Sequence, residues 1–219
     1  MNEHRCTTPQ LVLWYRDFLQ TGKAAAFVSC VATRYSMSTL ARMTKSRDHE
    51  MRRASVLALG MIGGAESISA VGTCLRDSDR CVRLVAEISF GDLCKREMGS
   101  AAAKKLDAVR RHIDGHRYSK ALVMLRNVVE TWPNFAEAWY QLAVTSLGLS
   151  QYEKALKSAQ RTIELNPNHY AARTLQARCW LEKDRTLEAL KCFEASFEVN
   201  PSQFAVKEYI SVLRRQARL

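Results

Sequence analysis

Between Tyr118 and Val129 apolar side chains at 118, 121, 122, 125, 128 and 129 share one face of a helix. The pattern returns at an offset of 34, and then again. RYSKALVMLRNVVETWPNF begins at Arg117, QYEKALKSAQRTIELNPNH at Gln151 and RTLEALKCFEASFEVNPSQ at Arg185, and no gap is needed to align them. Pro133, Pro167 and Pro201 share a column, as do Ala121, Ala155 and Ala189. Asn-Pro closes two of the three segments. Pro blocks continuation of the helix, and Asn is expected to supply a left-handed residue at its end. A second helix precedes each segment, marked by Trp139, Leu142 and Ala143 and, one repeat later, by Leu175 and Ala177. Alanine recurs where the paired helices must approach closely. The pattern therefore predicts helical hairpins over 102–135, 136–169 and 170–203, with a terminal capping helix over 204–219 built on Phe204, Val206, Tyr209, Ile210, Val212 and Leu213.

The first hundred residues repeat more loosely. SRDHEMRRASVLALGMIGG from Ser46 aligns with DSDRCVRLVAEISFGDLCK from Asp77 at an offset of 31, pairing Asp48 with Asp79, Arg52 with Arg83 and Gly60 with Gly91. Asp48 and Asp79 are placed as helix N-caps, and Gly63-Gly64 as a bend. YSMSTLARMTKSRD from Tyr35 echoes ESISAVGTCLRDSD from Glu66 in residue class. Leu11 to Leu19 reads as an amphipathic helix. The apolar run behind it, AAAFVSCVA from Ala24, is too short to span a bilayer. The junction between the halves is expected at Met98-Gly99-Ser100, dividing the chain into 1–99 and 100–219.

Composition sharpens this reading only slightly. The 219 residues are 47% apolar with 9 Gly and 4 Pro, too few turn residues for a β-sandwich. Seven cysteines without a C-x-x-C, set mostly among apolar neighbours, suggest a reduced, cytoplasmic chain. The net charge of +11 is spread over both halves with acids interleaved, which permits an acidic partner or nucleic acid without demanding either.

The C-terminal half resembles a tetratricopeptide-repeat array. It has the period of 34, the helix–turn–helix unit, and Trp-x-x-Leu-Ala and Pro at the family offsets. The N-terminal half resembles HEAT repeats of the phycobilisome-lyase type, carried best by Asp48 to Gly63, with two fairly clear units and a degenerate one within 11–45. Together these resemblances imply an all-α, right-handed α-solenoid. In the HEAT resemblance the Asp/Arg pairs form a structural ladder between repeats.

Candidate chemistry is sparse. His112 and His116 stand four apart in HIDGH, but no Glu follows the first, and they read as core or rim histidines. No phosphate-binding glycine loop or nucleophile elbow occurs. No catalytic residue, metal site or cofactor is expected, and a lyase-like activity would rest on the HEAT resemblance alone. The tetratricopeptide resemblance places a partner-binding groove on the first helix of each unit. Arg110, Tyr140, Gln141, Val144, Thr174, Arg178 and Leu181 line it, with Leu106, Ile113, Glu137, Leu147 and Ala171 beside them. This predicts a protein-interaction adaptor for a partner segment carrying apolar and acidic residues. The second reading is a nucleic-acid-binding solenoid, with Arg52, Arg53, Arg76, Arg80 and Arg83 on one ridge. No membrane insertion is expected.

Overall fold

The computed structural model describes residues 8–216. Cys6 and the last residues expected of the capping helix lie outside them. The described residues form thirteen α-helices and no strand. The chain divides into two compact units after Leu93, six residues before the boundary expected at Gly99. Two contacts explain the shift. Asn166 Nδ2 donates to Cys94 Sγ at 3.4 Å, and the Ala136 amide donates to Glu97 Oε2 at 3.2 Å, so the residues after Leu93 belong to the second unit.

The first unit contains α1 (Gln10–Thr21), α2 (Ala24–Arg34), α3 (Met37–Met43), α4 (His49–Ile62), α5 (Ile68–Thr73) and most of α6 (Arg80–Arg96). Helix α4 is its centre and packs against α1, α2, α3 and α5. It buries Met51, Ala54, Ser55, Val56, Ala58, Leu59 and Gly60, more than one stripe, as a helix with neighbours on several sides must. The expected N-caps form: Asp48 accepts from the Glu50 amide at 2.9 Å, and Asp79 from the Val82 amide at 2.8 Å. The offset of 31 holds in the hydrogen bonds. Arg52 Nη1 donates to the carbonyls of Ser46 and Arg47 at 2.9 and 3.1 Å, and Arg83 Nη1 to those of Asp77 and Ser78 at 2.8 and 3.1 Å. Arg52 and Arg53 also grip Asp77 and Asp79, each with two bonds of 2.7 to 3.0 Å. The weaker echo at Glu66 gives only a six-residue α5 between two 3-10 turns.

The second unit is a regular stack: α7 (Gly99–Asp114), α8 (Tyr118–Thr131), α9 (Ala136–Gly148), α10 (Tyr152–Leu165), α11 (Tyr170–Leu181), α12 (Thr186–Val199) and α13 (Phe204–Gln216). Each helix packs on the next. Gly99 opens α7 with φ +81°, a conformation that favours glycine. Ala121, Ala143, Ala155, Ala177 and Ala189 are all fully buried, the alanine columns at which paired helices touch. These are three helical hairpins followed by a single helix.

Two turn expectations change. Asn166 and Asn200 end their helices in extended conformation, at φ −136° and −135°, because the following proline disfavours the helical region. Their Oδ1 atoms instead accept the amides of Asn168 and Ser202 at 3.2 and 3.0 Å, making a turn across the proline. The left-handed residues lie inside the hairpins, at His116, Ser150 and Asp184, which are themselves spaced by 34. Gly115 stays at φ −86°. In each turn the following amide closes on the first helix: Arg117 on His112, Gln151 on Ser146 and Arg185 on Trp180, at 2.8, 2.8 and 2.9 Å.

Of the apolar residues expected to seal the stack, Val206, Ile210 and Leu213 are buried, while Phe204, Tyr209 and Val212 are 70, 50 and 42% exposed.

Candidate functional site

The expected groove residues divide into two sets. Arg178 is exposed, and Arg110, Tyr140 and Val144 are partly so. Around the Tyr140 phenol, burial and the Glu137 carboxylate push its pKa up to about 12, while Arg178 and Arg110 pull it down. Both guanidinium groups are thus near enough to act electrostatically on one tyrosine, and Val144 and Leu147 pack beside it on the same core cluster.

The other three expected groove residues also make contacts within the stack. Gln141 is 6% exposed, and its Nε2 donates to Glu137 Oε1 at 2.7 Å. The Thr174 hydroxyl bonds Ser196 Oγ at 2.8 Å and donates to Gln203 Oε1 at 3.1 Å, fastening α11 to α12. Leu181 packs in the cluster built by Phe193, Val206, Ile210 and Leu213. The family offsets locate these residues on the right helices. They do not reveal the contacts these side chains make inside the stack.

Beneath Tyr140 lies a buried polar network that the repeat pattern does not announce. Glu137 is 7% exposed and His169 is 4% exposed. His169 Nε2 lies 3.3 Å from Glu137 Oε2, and its Nδ1 accepts the Ala172 amide at 3.2 Å as the N-cap of α11. Because Nδ1 accepts an amide proton, the neutral ring carries its own proton on Nε2 and donates it to Glu137. The His169 and Tyr140 rings are 4.7 Å apart. Glu97 caps α9 from the α6–α7 connection through the Ala136 amide. Burial raises its pKa to about 7; the Ala136 amide and His169 oppose the rise, and Glu137 adds to it. One sequence signal for this network was present: Glu137 sits in the groove column otherwise filled by Ala171, and a carboxylate there needs a partner.

Three arginines of the basic ridge are engaged, while Arg76 and Arg80 are exposed. Arg52 and Arg53 hold Asp77 and Asp79, and Arg83 caps backbone carbonyls. Arg214 pairs with Glu194 at 2.6 Å, and Lys105 sits 4.9 Å above the Trp132 ring. Phosphate binding needs such side chains free. Four of the thiols are held away from reactivity by burial. Burial pushes Cys74, Cys94 and Cys192 up, and Cys179 to about 11, away from the thiolate form. His112 is partly buried, and His116 is exposed with Nδ1 3.0 Å from the Tyr118 hydroxyl.

A family model described as anaphase-promoting complex, cyclosome, subunit 3 matches residues 114–196, from the end of α7 into α12. A comparison with curated protein sequences finds no match. Among solved structures, the chain is similar to MamA (41-end) from Desulfovibrio magneticus RS-1, at 20% identity over 90% of this chain and 98% of that one, with a TM-score of 0.44. It is similar to the tetratricopeptide domain of P58(IPK), at 18% identity over 95% of this chain and 55% of that one, with a TM-score of 0.49. It is also similar to YrrB, a tetratricopeptide protein described as having an unusual peptide-binding site, at 15% identity over 89% of this chain and 96% of that one, with a TM-score of 0.47.

Proposed function

We propose that the protein is a non-enzymatic, cytoplasmic adaptor whose repeat array holds a segment of a partner protein across Arg110, Tyr140, Val144 and Arg178. The observation that supports this is the electrostatic influence of two guanidinium groups on one partly open tyrosine beside aliphatic side chains. Arginine and tyrosine are favoured interface anchors, and a carboxylate between two arginines gains charge-assisted bonds. The fitting segment carries an acidic residue next to a large apolar one. The polar network below is closed on itself, so it holds the tyrosine in place without reaching for a ligand. The first unit, in this reading, is a HEAT-like support whose Arg–Asp pairs are structural.

An array of short peptides, each combining an acidic and a large apolar residue, tests the reading against the wild type and Arg178→Glu. The exposed position of Arg178 leaves the fold intact, which circular dichroism verifies. Loss of about tenfold or more in affinity, equivalent to about 1.4 kcal/mol, is expected for the peptides the wild type selects. Equal binding by both proteins, or selection of basic peptides, refutes the site. Preferential, steeply salt-dependent capture of single-stranded nucleic acid would put the second reading first.

A further inference from the structure

Helix α13 begins at Phe204, 34 residues after α11 begins at Tyr170, which in turn is 34 after α9 begins at Ala136. It thus takes the place of a first helix in the repeat. In the complete hairpins, the face turned to the second helix is built by Tyr140, Ala143 and Leu147 in α9, and by Thr174, Ala177 and Leu181 in α11. The same positions in α13 hold Glu208, Ser211 and Arg215, and all three are exposed. The middle residue stays small, as close helix contact requires. The flanking two become one acid and one base. Ser211 and Arg215 border an open cleft of about 580 Å³ between Phe197 and Glu198 of α12 and Lys207, Ile210 and Arg214 of α13.

We propose that this face is a self-association surface, occupied by α13 of a second copy of the chain, packed antiparallel about a two-fold axis. Glu208 and Arg215 are seven residues apart, two helical turns, with Ser211 between them. An isologous contact requires a self-complementary patch. Antiparallel pairing sets Glu208 of each copy on Arg215 of the other, so one arrangement makes two ion pairs and leaves the small serine at the crossing. Parallel pairing would set like charge on like. Arg215 reaches only the Ser211 carbonyl of its own helix, at 3.4 Å, and so is available. The charges fix direction and register. The exposed flanks of Phe204 and Val212 supply apolar area. A single helix face buries less than a standard interface of roughly 1,200–2,000 Å², so the association is weak and concentration-dependent.

Sedimentation velocity of the whole chain over roughly 5 to 500 μM, a range suited to such a small interface, tests the proposal. The wild-type sedimentation coefficient is expected to rise with concentration. Glu208→Arg alone and Arg215→Glu alone are each expected to stay monomeric, since each variant meets itself with like charges at both contacts. An equimolar mixture of the two is expected to associate again, because every contact then pairs acid with base, and the Glu208→Arg/Arg215→Glu double variant is expected to behave as wild type. Circular dichroism shows that each variant is folded. A wild type that is monomeric throughout, single variants that associate as the wild type does, or a mixture that fails to recover overturns the proposal.

Discussion

His169 joins two hairpins of the second unit with one ring: Nε2 meets Glu137 Oε2 at 3.3 Å, and Nδ1 accepts the Ala172 amide at 3.2 Å. Removing the ring leaves an uncapped α11 and a buried carboxylate without its donor. His169→Ala is therefore expected to cost about 2–4 kcal/mol in urea unfolding, the sum of a lost cap and an orphaned buried group. Asn is a strong capping residue but too short to reach Glu137, so His169→Asn should recover about 1 kcal/mol of that loss. Equal stability of the alanine and asparagine variants would show that the cap contributes nothing.

Glu97 gives the second unit a pH dependence of known sign. Its folded pKa of about 7 lies above its ordinary value of 4.5, chiefly because burial disfavours the charge. Between those values the native state holds more protons than the unfolded one. Its contribution is therefore fully favourable at low pH and is lost as pH rises through about 7. Glu97→Gln can still accept the Ala136 amide but has no charge to bury. The variant should melt higher than wild type at pH 8, by an amount on the order of 1 kcal/mol after solvent screening, and the two should converge near pH 5. A constant difference across that range would exclude Glu97 as the titrating group.

The sequence makes the repeat legible because every column of it is a packing constraint. Ala121, Ala155 and Ala189 must be small, and proline must follow each second helix. The caps Asp48 and Asp79 and the arginines Arg52 and Arg83 are legible for a similar reason, since they recur at the offset of 31, whereas Arg53 and Asp77 meet Leu84 and Ser46 in the matching columns. Three things are not legible. The left-handed residues His116, Ser150 and Asp184 share a column but no side-chain type, so only the backbone shows it. Gln141, Thr174 and Leu181 occupy groove offsets, yet whether such a residue is open depends on the length and tilt of its neighbours. The network under Tyr140 joins Glu137 and His169 across 32 positions, a pairing that no local pattern encodes.

Gly60 and Gly91 occupy equivalent positions in the 31-residue repeat, and they are expected to respond in opposite directions. A Cβ on Gly60 would stand 2.2 Å from Ser89 Oγ, 2.5 Å from its Cβ and 3.1 Å from its Cα, so α4 and α6 would have to separate. Gly60→Ala should cost about 1–3 kcal/mol, as overpacking of a tight helix contact does. A Cβ on Gly91 meets nothing within 4 Å, and the residue is helical. Gly91→Ala should stabilise by about 0.5–1 kcal/mol through helix propensity and the restricted unfolded chain. Thermal melts of the two variants check both signs. Similar shifts would mean that the α4–α6 approach is looser than the structure shows.

Arg52 and Asp77 form the tightest rung of the ladder, with side chains 14 and 11% exposed and two bonds of 2.7 and 2.8 Å. Burial alone would raise the Asp77 pKa, but hydrogen bonds from Arg52 and the Asp79 amide outweigh it and hold the carboxyl below its ordinary 3.8. The stability it adds is thus present above that value and lost as pH falls through the lower, folded one. Arg52→Ala also strips the carbonyls of Ser46 and Arg47 of their donor, and should cost about 2–4 kcal/mol. Asp77→Ala should cost a similar amount. The double variant should cost about 1–3 kcal/mol less than their sum, because neither partner is then left buried and unpaired. Urea unfolding of the four proteins gives the coupling directly. If the two losses simply add, the rung is a surface pair of the ordinary weak kind, and Arg52 becomes a free cation that the nucleic-acid reading could claim.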